Sequence, residues 1–344
     1  MRVSIGTFGD RLLAIAFAFM ATVALVGMGS GRTAASFTGT TSNPANNVAT
    51  MLVQVPAAQN NPTSAAAGLV SLSWTATPTA PGAGHTLTYN VLRGPVGGPY
   101  TLVGNTAGLT YNDTPPADGT YQYVIQAKVT GGGIFTSGNS AAANGLSDRT
   151  APTMSITCNA ISCAGWFSGT VSVTVSGVDA GTGMGSVTRN VDAAGQVSTG
   201  GASVAFNVTG QSNHTVAYFG TDAAGNASSS TNQTVRIDNT APTAATGLTG
   251  TNGQQNGEID LSWTKGTDAL SGIASQTIRR SAVGAGACPA VSVANYPTTY
   301  NPGAAASLYT VTALPAGNYC FYIVTSDAAG NSSNSTASAR ITAQ

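Results

Sequence analysis

Apolar and polar residues alternate in short runs through most of this chain beyond residue 66. "LVSLSWTA" places Val70, Leu72 and Trp74 on one face, and "LTYNVLRG" does the same with Leu87, Tyr89 and Val91. "TYQYVIQAKV" follows with Tyr121, Tyr123, Ile125 and Ala127. The rhythm returns near the C-terminus: "EIDLSWTK" aligns Ile259, Leu261 and Trp263, and "NYCFYIVTSD" aligns Tyr319, Phe321 and Ile323. Period two is the spacing of a strand with one face buried. Beyond an apolar leader, no stretch keeps helical spacing for three turns. The predicted fold class is all-β, with tandem β-sandwiches after an N-terminal hydrophobic helix.

Two near-copies of a short phrase mark the divisions. "SDRTAPT" spans Ser147 to Thr153 and "DNTAPT" spans Asp238 to Thr243. Proline biases its predecessor to extended geometry and brings no donor to a ladder, so each phrase reads as a stiff joint. The expected units are 66–148, 149–240 and 241–344, after an extended segment over 36–65 and a leader over 1–35. Units of about a hundred residues suit β-sandwiches.

The leader is an export signal. Arg2 and Arg11 precede "LLAIAFAFMATVALVGM", Leu12 to Met28, in which Thr22 is the one polar residue. Thr33 and Ala35 suit the −3 and −1 positions of a cleavage site, which predicts a mature chain beginning near Ser36. The apolar run also reaches the lower limit for spanning a bilayer, so an uncleaved anchor is the alternative. Either way the rest of the chain lies outside. The cysteines agree with export: Cys158 with Cys163 and Cys288 with Cys320 are each expected to form a disulfide within one unit. Zinc would want ligand pairs gathered in one site, and no histidine accompanies either pair.

At these residues the chain resembles known families. Units one and three look like fibronectin type III domains, through Trp74 and Trp263 on the second strand and the Tyr121–Ile125 and Tyr319–Ile323 runs late in each unit. Unit two resembles bacterial Ig-like repeats, through Trp166-Phe167, Val171-Val173-Val175, "DAGTG" from Asp179 and "DAAGN" from Asp222. The resemblance implies tandem Ig-like/fibronectin type III sandwiches and says little of function, because such folds host unrelated activities. The stretch Ala35 to Val55, "ASFTGTTSNPANNVATMLVQV", is similar to the mature start of TasA/camelysin-type exported proteins.

Charge narrows the partners. Only 7% of residues are charged, Lys128 and Lys265 are the lysines, and the formal net charge is zero. Nothing therefore favours nucleic acid or an anionic membrane surface. The membrane enters only through an uncleaved N-terminal helix. His85 and His214 fall in different units and read as structural. Glu258 is the only glutamate, so a glutamate pair for glycoside cleavage is absent. No nucleophile elbow, zinc helix or phosphate loop occurs, so no enzyme and no cofactor are expected.

One repeat carries candidate chemistry. "TDAAGNASSS", from Thr221, and "SDAAGNSSNS", from Ser326, nearly match, and each follows an Asp-x-x-x-Gly turn. Asp179, Asp222 and Asn226 in unit two, with Asp268, Asp327 and Asn331 in unit three, offer oxygen ligands for calcium. Two carboxylates are few for such a site, and Asx residues with glycine also build turns, so the corner reading is preferred. Trp166 and Phe167 form a candidate glycan-stacking pair, weighed against burial in the core. The expected function is a secreted or cell-surface, non-catalytic scaffold in adhesion or matrix structure, with surface or matrix proteins, or polysaccharide, as partners. The alternative is a carbohydrate-binding accessory protein.

Overall fold

The structure, a computed structural model, describes residues 52–56 and 59–344. The leader, the Thr33/Ala35 site, the predicted N-terminal helix and most of the TasA-like stretch lie outside them. Among the described residues regular structure is all strand, apart from one 3-10 turn at Ala66–Gly68. No helix there is long and apolar enough to cross a membrane.

The strands fall into three sets. The first holds β1 (Thr63–Ala65), β2 (Leu69–Ser73), β3 (Thr86–Gly94), β4 (Thr101–Thr106), β5 (Thr110–Asp113), β6 (Gly119–Thr130), β7 (Ile134–Thr136) and β8 (Ala143–Ser147). A sheet in the order β1-β2-β5 faces β4-β3-β6-β7, with β8 also paired to β6. The second set holds β9 (Thr153–Cys158), β10 (Trp166–Phe167), β11 (Val171–Val178), β12 (Met184–Val191), β13 (Val197–Gly200), β14 (Ser203–Val208), β15 (Ser212–Asp222) and β16 (Thr231–Ile237). Its sheets run β14-β11-β9 and β10-β16-β15-β12-β13. The third holds β17 (Thr246–Asn252), β18 (Ile259–Thr264), β19 (Ile273–Val283), β20 (Thr298–Tyr300), β21 (Leu308–Val311), β22 (Gly317–Asp327), β23 (Ser332–Asn334) and β24 (Ile341–Ala343). It repeats the first plan, β17-β18-β21 against β20-β19-β22-β23, with β24 on β22.

Each set closes on its own core, as the alternation requires. Val70, Leu72, Trp74, Tyr123 and Ile125 meet in the first, Val171, Val173, Val175, Val216 and Val235 in the second, and Ile259, Leu261, Trp263, Phe321 and Ile323 in the third. Fully burying each aliphatic side chain contributes about 1.5–3 kcal/mol. Val53 joins the first core, and Gln54 N donates to Thr79 Oγ1 while Thr77 Oγ1 donates to Gln54 O. Residues 52–55 thus lie against the first sandwich through Val53 and Gln54, with Leu52 and Val55 exposed; Val48 to Met51 lie outside the described residues.

Units one and three share a device the alternation does not announce. Ser137 and Ser140 interrupt the last strand, and their hydroxyls accept the Ala127 and Ile125 N–H groups at 3.0 and 2.9 Å. Ser335 and Ser338 do the same for Ile323 and Phe321, at 2.8 and 3.0 Å. A side-chain oxygen thus substitutes where the ladder lacks a carbonyl, so no buried donor is orphaned there.

Both expected disulfides are present, and no cysteine is free. Cys158–Cys163 closes the loop after β9 and packs within the second core. Cys288–Cys320 joins the two sheets of unit three to neither each other nor a neighbour. It ties the connection between β19 and β20 onto the outer face of β22.

Candidate functional site: two carboxylate-lined joints

The corner after β15 is built by its own side chains. Asp222 Oδ1 accepts the N–H groups of Gly225 and Asn226 at 2.6 and 2.7 Å, and Gly225 takes φ +98°, a conformation glycine adopts freely. After β22, Asp327 Oδ1 accepts Asn331 N–H at 2.8 Å and Gly330 takes φ +91°. The preceding turns follow the same logic. Asp179 Oδ2 accepts from Gly181 and Gly183 N–H at 3.0 and 2.8 Å, and Asp268 Oδ1 from Leu270 and Gly272 at 3.0 and 2.6 Å. These are Asx turns, as the corner reading expects.

Turning the chain does not by itself demand those residues. Unit one makes the corresponding β6–β7 turn with Gly131, Gly132 and Gly133. In units two and three the corner grips the chain that arrives from the unit before. Asn226 Nδ2 donates to Asp222 Oδ2 at 2.7 Å and to the Asp148 carbonyl at 3.0 Å, while its Oδ1 accepts Ala67 N–H at 2.9 Å. Asn331 Nδ2 donates to Asp327 Oδ2 at 2.8 Å and to the Asp238 carbonyl at 2.9 Å.

Each joint also receives a third carboxylate, from the joint segment itself. Asp148 is 1% exposed; its Oδ2 accepts Thr182 N–H and Oγ1–H at 2.7 and 2.8 Å, and its Oδ1 accepts Thr150 N–H at 3.1 Å. Asp238 is fully buried and accepts Thr240 and Ser271 N–H at 3.0 and 3.1 Å. Burial pushes the Asp238 carboxyl up, but those donors outweigh it and hold the group below the usual carboxylate range. Asp148, Asp179 and Asp222 bring one oxygen each within 4.8 Å of one another, and Asp238, Asp268 and Asp327 repeat the arrangement. Among the described residues the ion pairs lie elsewhere, at Arg93–Asp113, Arg149–Asp118 and His214–Asp192. Asp179 Oδ1 and Ser271 Oγ are sealed from solvent without a hydrogen-bond partner. The oxygens of Asp148, Asp179 and Asp222, and of Asp238, Asp268 and Asp327, are hard donors of the kind that hold calcium.

Sequence reading found four of these six aspartates. Asp148 and Asp238 lie in the joint phrases, outside the repeated Asp-x-x-x-Gly and Asp-Ala-Ala-Gly-Asn turns, and so carry no repeat of their own. A signal was there: each lies four residues before the proline of a Thr-Ala-Pro step, Pro152 and Pro242.

The other candidates stay apart from the joints. β10 runs parallel to β16, pairing Trp166 with Arg236 and Phe167 with Ile237. Phe167 packs against the second core, and Trp166 is half-buried on the opposite side of the strand. His85 Nδ1 contacts the Ala83 carbonyl at 3.2 Å. His214 lies between Asp192 Oδ2 at 2.7 Å and the Gly210 carbonyl at 2.9 Å, and joins two turns of unit two. Burial pushes its imidazole down, but the carboxylate and carbonyl outweigh this and the net shift is upward.

No protein-family model matches this sequence, and no curated protein matches it. Among solved structures, domains A168–A170 of titin are similar at 12% identity, over 83% of this chain and 96% of that one, with a TM-score of 0.41. The FN1–FN3 domains of chicken CNTN1 are similar at 12% identity, over 84% and 98%, with a TM-score of 0.30. At such scores these likenesses decide nothing about this chain's function.

Proposed function

We propose that the protein is an exported, non-catalytic scaffold that holds three β-sandwiches in fixed order, in adhesion or in extracellular matrix structure. The twice-built joint carries this reading. A chain that only had to link folded units needs a flexible spacer, whereas here each joint is gripped by a dedicated asparagine and lined by three aspartates. The two disulfides accord with an oxidising address. Small-angle scattering of the mature protein should give one extended shape that the double variant Asn226→Ala/Asn331→Ala broadens into many. A broad wild-type ensemble would remove the basis for a rigid scaffold. Glycan arrays address the accessory-protein alternative: saturable sugar binding lost in Trp166→Ala would replace the scaffold reading, although only one ring of that pair faces outward.

A second reading concerns what fills the joints. Two carboxylates are too few for an extracellular calcium site, and the joint segments supply the third at each place. On this reading calcium binds both joints, with backbone carbonyls and water completing the shell, and locks them. Titration calorimetry on chelator-stripped protein should show two sites, one lost in Asp148→Asn and the other in Asp238→Asn. An absence of heat, with no change in melting temperature at millimolar calcium, leaves the joints as hydrogen-bonded corners only.

A further inference from the structure

The third sandwich carries a second apolar cluster on its outer face. Alternation along β22 sends Tyr319, Phe321 and Ile323 into the main core and Cys320 and Tyr322 the other way. There Tyr322 meets Tyr296 edge to face, with ring centroids 5.0 Å apart, and the two are 1% and 0% exposed. Tyr296 belongs to the strap of residues 284–297 that connects β19 to β20. The strap's one backbone–backbone hydrogen bond is internal, from Tyr296 N–H to the Ser292 carbonyl. Its other hydrogen bonds to the sandwich all come from side chains: Asn318 Nδ2 to the Gly284 carbonyl at 3.2 Å, Arg340 to the Ala285 and Gly286 carbonyls, and Arg279 to the Tyr296 carbonyl at 3.5 Å. No strap residue belongs to the main core of the unit. A segment held this way opens more readily than the sheets beneath it.

The two disulfides differ in access. Cys158 and Cys163 are both buried, at 0% and 5% exposure. Cys320 is sealed as well, but Cys288 is half-buried and borders an open groove of about 440 Å³ with Ala287, Ser338 and Arg340. Thiol exchange needs a path to only one sulfur, and a neighbouring guanidinium favours an incoming thiolate.

We propose that Cys288 is a thiol-exchange site, and that reducing its bond releases the strap while the third sandwich stays folded. The reductant is a dithiol. Its first thiolate bonds to Cys288 Sγ and expels Cys320 Sγ as a thiolate. Its second thiolate then attacks the mixed disulfide and expels Cys288 Sγ. Both cysteines take up protons from water, and the dithiol becomes a disulfide by losing two electrons. Release uncovers Tyr322 and Cys320, so the redox state decides whether that face is presented.

Native protein treated with dithiothreitol, alkylated and mapped by mass spectrometry tests this. Cys288 and Cys320 should be labelled at least about tenfold faster than Cys158 and Cys163. New proteolytic cuts should appear within 284–297 while the far-ultraviolet dichroism of the sheets persists. The variant Cys288→Ser/Cys320→Ser should be cut there without any reductant. Equal labelling of both pairs, or a reduced or Cys-free strap that still resists protease, overturns the proposal and leaves a structural staple.

Discussion

Replacing Asn226 by alanine removes three hydrogen bonds at the first joint. Two are neutral, to the Asp148 carbonyl and from Ala67 N–H, and one runs to the Asp222 carboxylate. Neutral bonds contribute about 1 kcal/mol net and a bond to a charged group about 1.5–3 kcal/mol. Asn226 is only half-buried, so water recovers part of this. The expected loss is about 3 kcal/mol. For a domain of this size each kcal/mol moves the midpoint by about 4–8 °C, so the transition of unit two should fall by more than about 10 °C. Scanning calorimetry on the intact chain reads this, because a joint that couples its neighbours also makes them unfold together. Asn226→Ala should split one broad transition into two. Asn213→Ala, exposed on β15, is the control and should stay within about 0.5 kcal/mol of the parent. A midpoint change in Asn226→Ala no larger than the control's refutes the reasoning, and the corner then turns the chain without gripping the joint.

Gly181→Ala should loosen the same joint by about 1–3 kcal/mol, because the added methyl falls on the Asp148 carboxylate; hydrogen exchange at Thr182 reports it. His214 should give unit two a pH-dependent stability. Its raised folded pKa contributes stability that is full below the unfolded value of about 6.5 and is lost as pH rises through the folded value. Asp192, lowered chiefly by the His214 hydrogen bond, contributes in the opposite sense and fails in acid. Melting curves of His214→Gln between pH 5 and 9 should lack the alkaline decline, and an unchanged profile contradicts this. Trp263→Phe should cost about 1–3 kcal/mol more than Trp74→Phe in denaturant unfolding. Trp263 Nε1 donates to buried Gln276 Oε1 at 2.8 Å, whereas Trp74 Nε1 has no partner to strand. Equal losses would show that ring volume alone sets the cost.

Some of this was written in the chain one residue at a time. Period-two alternation placed Trp74, Tyr123, Ile259 and Phe321 correctly, because a pleated strand can hide only every second side chain. The Cys158–Cys163 pair and the Asx turns at Asp179 and Asp222 were also local, since their partners lie within a single loop. What escaped was assembled from distant pieces. Asp148 lies 74 positions from Asp222, and only the stacking of one sandwich on the next brings their oxygens together. The strap over β22 escaped for the same reason. Alternation says that Cys320 and Tyr322 face away from the main core, but not that Tyr296 comes back to cover them. Local pattern fixes which side of a strand a residue takes; tertiary packing alone decides what it meets there, because contacts between distant segments depend on chain geometry that no short window of sequence contains.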